Sequence, residues 1–355
     1  MAKFNVDGIQ NVEVSKKLPP QMSPSEQLAL MQRYTDTHRA CADLSKEERE
    51  VRCLRVLYPA LLRRMEPGDL FLGRLDFLPI GFGCVTSLGG VGRNIAHNMA
   101  LLGLDVRFLT AFGDDLYAQR IAASCGELGI DISQALRVPG GSTSTYLYLN
   151  GPDGDMALAV SDMDICRKMT PQFLASRLTL LKGAQLIVAD ANLPAESLRF
   201  LADHGAAPLF VDPVSTVKAE KLRPILGKIH TLKPNRMEAE LLSGVAITNE
   251  ESLRQAAQVL LDTGLRRVFI SLGSRGLFAA DHRESLLLPC RPAAPVNATG
   301  AGDAFMAGLA WAYLEGTDLR GTALAGASAG AIAIEGSETI NPALSPEVLR
   351  ARMDR

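Results

Sequence analysis

No apolar run in this 355-residue chain is long enough to cross a membrane, no basic tract stands out against a formal net charge of −2, and none of the six cysteines pairs as Cys-x-x-Cys. Each absence excludes something. A spanning helix needs about 20 consecutive apolar residues, so membrane association is not expected, and the opening Met1-Ala-Lys-Phe-Asn-Val-Asp7 does not read as a signal peptide. Without basic tracts a nucleic acid polymer is not the expected partner, while a nucleoside remains open as a small-molecule substrate. Cys41, Cys53, Cys84, Cys125, Cys166 and Cys290 are scattered, as in a reduced cytoplasmic protein rather than a disulfide frame or zinc site. What is present, 47% hydrophobic residues, suits one large α/β domain with an elaboration.

From residue 89 onward strand-like and helix-like segments alternate. Residues 93–102 and 114–128 read as helices, the second ending at Gly129, and 106–112 as a strand between them. Thr145 to Asn150 and Met156 to Val160 flank Gly151-Pro-Asp-Gly-Asp155, the pattern of a β-hairpin. Strands recur at 186–189, 209–211, 229–232 and 268–271, with a shorter one at 277–280. This rhythm predicts a mostly parallel central sheet with helices on both faces. Ligands of such sheets bind beyond the carboxyl ends of the strands.

Polar clusters fall at those ends. Asn297-Ala-Thr-Gly-Ala-Gly-Asp303 runs into the apolar segment Ala304-Phe-Met-Ala-Gly-Leu309. Gly300, Ala301 and Gly302 would open a helix whose first N–H groups are unpaired, a site for a phosphoryl group. Asp303 could then take a proton from an attacking hydroxyl, or simply complement the helix dipole. Gly89-Gly-Val-Gly-Arg-Asn94 offers a close backbone approach at Gly90 and a donor and acceptor at Asn94, or only a turn and a cap. Asn235 and Glu238 in Lys233-Pro-Asn-Arg-Met-Glu238 fit both a water-mediated Mg2+ site and a capping box. Ser271-Leu-Gly-Ser-Arg-Gly276 suits close contact with a nucleotide at Ser271, Gly273 and Gly276, or an ordinary turn between strands.

These clusters, in this order over residues 89–342, resemble the ribokinase-like (PfkB) family of carbohydrate and nucleoside kinases, and most of all its pseudouridine kinase branch. Val188-Ala-Asp-Ala-Asn192, Val211-Asp-Pro-Val-Ser215 and Ser142-Thr-Ser-Thr-Tyr-Leu147 carry the resemblance further. It implies an α/β ribokinase-like fold with a small β lid, and transfer of phosphate from ATP, with Mg2+, to the 5′-hydroxyl of a ribosyl compound such as pseudouridine. Asp303 would be the base, with Gly300, Ala301 and Gly302 as the anion hole. Asn235 and Glu238 would organise Mg2+ and the nucleotide phosphates, Glu238 through water, and Ser271, Gly273 and Gly276 would line the nucleotide. Gly90, Asn94 and Asn192 would meet the sugar. Asn297 and Thr299 fall where some relatives bind a monovalent cation; the usual carboxylate is Asn297 here, which weakens the expectation of K+ dependence. Relatives dimerise through their lid strands, so a homodimer is an arrangement the resemblance implies.

The N-terminal part departs from that pattern. Relatives open with a strand, a Gly-rich segment and an Asp gripping two sugar hydroxyls, and the nearest remnant here is Leu70-Phe-Leu-Gly-Arg-Leu-Asp76. Asp76 is more simply read as an exposed acid. Pro19-Pro20, a helical segment over 25–39 and another from Ser45 suggest an irregular or helical extension over 1–65, followed by the kinase domain over 66–355.

Overall fold

The computed structural model describes residues 2–7, 10–14, 36, 40, 82–85, 88–150, 156–291 and 293–354. In chain order its elements begin with β1 (Ala2–Asp7), β2 (Gln10–Val14), β3 (Phe82–Val85), α1 (Val91–Leu101), β4 (Ala111–Phe112), α2 (Leu116–Glu127), β5 (Leu136–Arg137), β6 (Thr145–Asn150) and β7 (Met156–Asp162). The chain continues with α3 (Pro171–Ala175), α4 (Leu178–Gly183), β8 (Ile187–Asp190), α5 (Ala195–His204), β9 (Leu209–Asp212), α6 (Thr216–Ala219), β10 (Thr231–Leu232), α7 (Arg236–Ser243) and α8 (Glu250–Asp262). It ends with β11 (Arg267–Ser271), β12 (Leu277–Asp281), β13 (Ser285–Leu288), α9 (Ala301–Leu314), α10 (Leu319–Ile334) and α11 (Pro346–Met353).

Two compact units divide the chain. The larger comprises residues 89–111, 121–137 and 166–355. Its six-stranded sheet runs β13-β12-β11-β10-β9-β8. Strands β8 to β11 are parallel, and β12 and β13 add as antiparallel neighbours. The centre is apolar because Leu209-Phe-Val211 and Val268-Phe-Ile270 run without alternation, as in a strand covered on both faces. One apolar cluster joins Phe210 and Phe269 to Phe305, Met306 and Leu309 of α9, with Ile95 of α1 packed in. Small residues let α9 and α10 approach closely: a Cβ on Gly308 would come 2.7 Å from the Ala325 carbonyl oxygen. The helices that carry the site are thus held against the sheet by close packing.

The smaller unit comprises residues 1–88, 112–120 and 138–165 and contains a five-stranded antiparallel sheet, β3-β2-β1-β6-β7. Here the expectation for the N-terminus needs correction. Residues 2–7 and 10–14 are strands of this sheet rather than an irregular or helical leader, β1 pairing with both β2 and β6. Phe4 and Val6 alternate with Lys3 and Asn5, a short period of two that becomes a strand through pairing with β2 and β6. The boundary at 65/66, Asp76, the segment 70–76 and the helices expected over 25–39 and from Ser45 lie outside the described residues, apart from the helical positions Asp36 and Ala40.

Other departures are local. Only Ala111–Phe112 of the strand expected over 106–112 is regular, and Arg107 makes an isolated bridge to Asp131. Strand β10 is confined to Thr231–Leu232, and β13 is an element that the pattern did not announce. Residues 151–155, the expected hairpin loop, lie outside the described residues, while the flanking strands pair antiparallel as expected.

Candidate active site

Four strand ends of the larger unit deliver polar groups. Strands β8 and β9 end on Asp190 and Asp212, which stand opposite each other in register. Strand β10 is followed at once by Lys233, and Ser271 ends β11. Apolar strands leave the sheet by ending on residues that water or a ligand can satisfy, which is why parallel sheets gather chemistry on this edge.

Lys233 and Asp212 form an ion pair of 3.1 Å, with side chains 9% and 7% exposed. A charge so enclosed must be paired and hydrogen-bonded to persist. The other Asp212 oxygen accepts from the Val214 N–H at 2.8 Å. Val214 has φ of 67°, a left-handed conformation that a β-branched residue adopts at a cost of about 1–3 kcal/mol. The turn after β9 therefore stores strain where Asp212 is anchored. Burial alone would depress the Lys233 ammonium, but Asp212, Asp303 and Glu238 together outweigh it and hold its pKa above the usual value.

Helix α9 begins beside this pair. Gly300, its N-cap, has φ of 83°, and a Cβ there would lie 2.1 Å from the Thr339 carbonyl oxygen, so only glycine fits. No side chain caps the helix, and first-turn N–H groups have no partner in their own helix. A Cβ on Gly302 would approach the Lys233 ammonium to 3.4 Å, which places that cation against the same turn. Asp303 follows. Its carboxyl is pushed up to about 8, first by burial and then by Asp212 and Asp190, while Asn94 and Lys233 oppose the shift.

Asn94, buried on α1, donates from Nδ2 to Asp303 Oδ2 at 2.9 Å. The buried Arg93 donates to Asn94 Oδ1 at 3.2 Å. A guanidinium only donates, so it fixes the amide with its oxygen toward Arg93 and its nitrogen toward the carboxyl. Arg93 also reaches the His97 Nδ1 at 3.1 Å, and burial, then Arg93, pull the His97 imidazole down to about 4. Gly90 (φ 96°) caps α1 and its carbonyl accepts from the Asn94 N–H at 2.8 Å.

Asn235 and Glu238 form a complete capping box on α7. Asn235 Oδ1 accepts from the Glu238 N–H at 2.9 Å, and Glu238 Oε2 from the Asn235 N–H at 2.8 Å. Yet Glu238 is only 3% exposed, and its carboxyl is raised by burial and by Asp212, with Asn235 and Lys233 opposing. The motif is thus a cap and a member of the charge cluster together. Ser271 lies beside it, its N–H donating to the Pro234 carbonyl at 2.9 Å.

The remaining expected residues divide. Asn192 stands on the turn after β8, its N–H on Asp190 Oδ1 and its Oδ1 accepting from the Lys218 ammonium. Gly276 has a structural reason to be glycine, since a Cβ would fall 2.0 Å from the Leu288 carbonyl oxygen across the hairpin. Gly273 (φ 61°) turns the chain with no group near its missing Cβ. Asn297 and Thr299 brace their own loop: Asn297 accepts from the Thr299 N–H at 2.9 Å and donates to the Ser337 carbonyl at 3.2 Å. Sequence reading missed Lys233, Asp212, Asp190 and Arg93 as site residues. The signal available was that three of them end or follow strands of the parallel sheet.

The chain belongs to the pfkB family of carbohydrate kinases, whose family model matches residues 81–346. Among curated proteins it is 39% identical over 275 residues to the pseudouridine kinase of Escherichia coli K12, covering 77% of this chain and 85% of that one. It is also 39% identical over 265 residues to an uncharacterized sugar kinase, YeiI, of the same organism, covering 74% and 73%. Among solved structures, a putative sugar kinase from Clostridium perfringens superposes with a TM-score of 0.70 at 31% identity, covering 79% of this chain and 89% of that one. A putative ribokinase II from E. coli in complex with ATP and Mg2+ superposes with a TM-score of 0.66 at 17% identity, covering 75% and 89%. The fold is therefore that of the ribokinases, and the activity class is phosphoryl transfer to an alcohol.

Proposed function

We propose that this chain transfers the γ-phosphoryl group of ATP to the 5′-hydroxyl of a ribosyl compound, with pseudouridine as the leading acceptor. The observation that carries the chemistry is the placement of Asp303 on the uncapped first turn of α9, bonded to Asn94 and flanked by the Lys233 ammonium. The acceptor rests on 39% identity to a pseudouridine kinase across most of both chains. Equal identity to a sugar kinase of unassigned substrate keeps a ribosyl or hexosyl sugar as the second reading.

In this reading Asp303 takes the proton of the attacking hydroxyl as the bond to phosphorus forms. Asn94 orients that carboxyl and, with Gly90 and Asn192, receives the sugar. The N–H groups of Gly300, Ala301 and Gly302 and the Lys233 ammonium receive the negative charge that gathers on the phosphoryl oxygens. Among the described residues no three acidic, histidine or cysteine side chains converge to hold a metal ion. Mg2+ would enter with the nucleotide and offset the negative charge of its phosphates, and Glu238 is the carboxylate that would reach it through water, since this ion keeps most of its hydration. Ser271, Gly273 and Gly276 flank the nucleotide. A monovalent cation at Asn297 and Thr299 would share Asn297 Oδ1 with the Thr299 N–H that already bonds to it.

The test is ADP release from ATP and Mg2+ by the purified full-length protein, comparing pseudouridine with uridine, adenosine, ribose and fructose. Selective turnover of pseudouridine is expected. Preference for a free sugar would replace that acceptor, and no turnover despite ATP binding would indicate a nucleotide- or sugar-binding regulator.

A further inference from the structure

One carboxyl group in the larger unit touches two of the turns assigned to the acceptor. Asp190 Oδ1 accepts from the Asn192 N–H at 2.7 Å, in the turn that follows β8. Its Oδ2 occupies the space beside Gly92, where a Cβ would meet it at 2.9 Å, in the first turn of α1 two residues before Asn94. The turn after β8 is fixed from its other side, because the Lys221 ammonium donates to the Ala191 and Leu193 carbonyls at 2.9 and 3.1 Å. Asp190 is thus the wedge between a braced turn and a helix start.

Stability alone does not account for an acid here. Asp190 pairs in register with Asp212 on the neighbouring strand, and like charges side by side on one sheet face are unfavourable. Burial raises its pKa further, with the Asn192 N–H opposing that shift and Asp212 adding to it. An apolar residue would avoid both costs but would leave the Asn192 N–H without its acceptor and the glycine turn without its spacer.

We propose that Asp190 is a positioning residue, holding the Gly90–Asn94 turn and the Asn192 turn at a fixed separation so that both meet one acceptor. This rests on the acceptor roles given to Asn94 and Asn192 above. It also explains Gly92, which a sequence reads only as one more glycine in a turn: any side chain there displaces the Asp190 carboxyl.

The experiment is a double-mutant cycle of Gly92→Ala and Asp190→Ala, with Asp190→Asn alongside, read by thermal midpoint and by the separate KM values for acceptor and ATP. Gly92→Ala is expected to lower the midpoint and raise the acceptor KM about tenfold, while the ATP KM stays within about twofold, since the substitution presses on the Asp190 carboxyl that contacts both turns. In the Asp190→Ala background the same substitution should raise the midpoint, because alanine then expresses its higher helix propensity unopposed. Asp190→Asn keeps an acceptor for the Asn192 N–H and should keep the acceptor KM near that of the parent. Additive midpoints would show no contact between the two positions and overturn the proposal. Coupled midpoints with an unmoved acceptor KM would leave a purely structural tie and overturn the positioning role. A parent protein that phosphorylates no ribosyl acceptor would overturn the functional reading and the positioning role with it, while the midpoints still report on the contact.

Discussion

Two helices of the larger unit start with the same device in different surroundings. Helix α7 opens with the Asn235–Glu238 capping box, and α8 opens with Asn249–Ser252, also reciprocal. In both, the asparagine oxygen accepts from the third N–H at 2.9 Å. The second box lies at the surface, its Ser252 hydroxyl also accepting from the Thr248 N–H at 2.9 Å, and it holds no charged side chain. The first buries its carboxylate beside Asp212 and Lys233, so its charge is felt by the whole cluster. The same capping geometry is thus only a cap in one place and a cap with an electrostatic role in the other, and what separates them is the Glu238 carboxylate, which Ser252 lacks, together with its burial.

The largest expected effect breaks the comparison at its centre. Asp303→Asn should lower turnover about 10²- to 10⁴-fold while ATP binding survives, because it would delete the proposed base and leave the helix start intact. The same variant has a stability signature. With a folded-state pKa of about 8 against an ordinary 3.8, Asp303 stabilises the fold fully below pH 4 and loses that contribution as pH rises toward 8. Denaturation at pH 5 and pH 8 should show a decline in the parent protein that Asp303→Asn reduces. The parent's kcat/KM should rise over the same interval as the base ionises; a rate flat from pH 6 to 8 would argue against Asp303.

Next comes Lys233→Met, expected to lower turnover about 10²- to 10³-fold and to leave Asp212 as an unpaired buried charge. Removing one partner of such a pair costs about 3–5 kcal/mol, so chemical denaturation should be run beside the assay. Glu238→Gln sharpens the comparison most directly. Glutamine can still complete the box, so the melting temperature should barely move, while kcat/KM for Mg2+·ATP should fall about 10- to 100-fold if Glu238 has the water-mediated Mg2+ role proposed above. Asn249→Ala is the control with the smallest catalytic effect: about 1 kcal/mol of stability lost with its cap, and unchanged kinetics.

Much of this molecule was legible in the chain itself. The parallel strands were found because Leu209 to Val211 and Val268 to Ile270 are apolar without a break, and α9 because small residues precede a long apolar run. Gly300 announced its turn, since only glycine fits there. The N-terminal strands were missed because five or six residues of weak alternation carry little signal until β3 and β6 supply their hydrogen-bonding partners. Strand β13 was missed because three of its residues are a bare leucine run, and pairing with β12 decides its form.

Sequence by itself determined the family and the glycine turns and singled out Asp303 as the proposed base, because these depend on local backbone rules and on residues contiguous in the chain. Only the tertiary structure decided that Lys233 lies against Asp212 and the α9 turn, that Arg93 bonds Asn94, and that the Asp190 carboxyl fills the space beside Gly92. Those relations join positions 1 to 98 residues apart in sequence, from Arg93 beside Asn94 to Gly92 against Asp190. A charge's role depends on what surrounds it in three dimensions, through burial and distance, and neither quantity is written in the order of the residues.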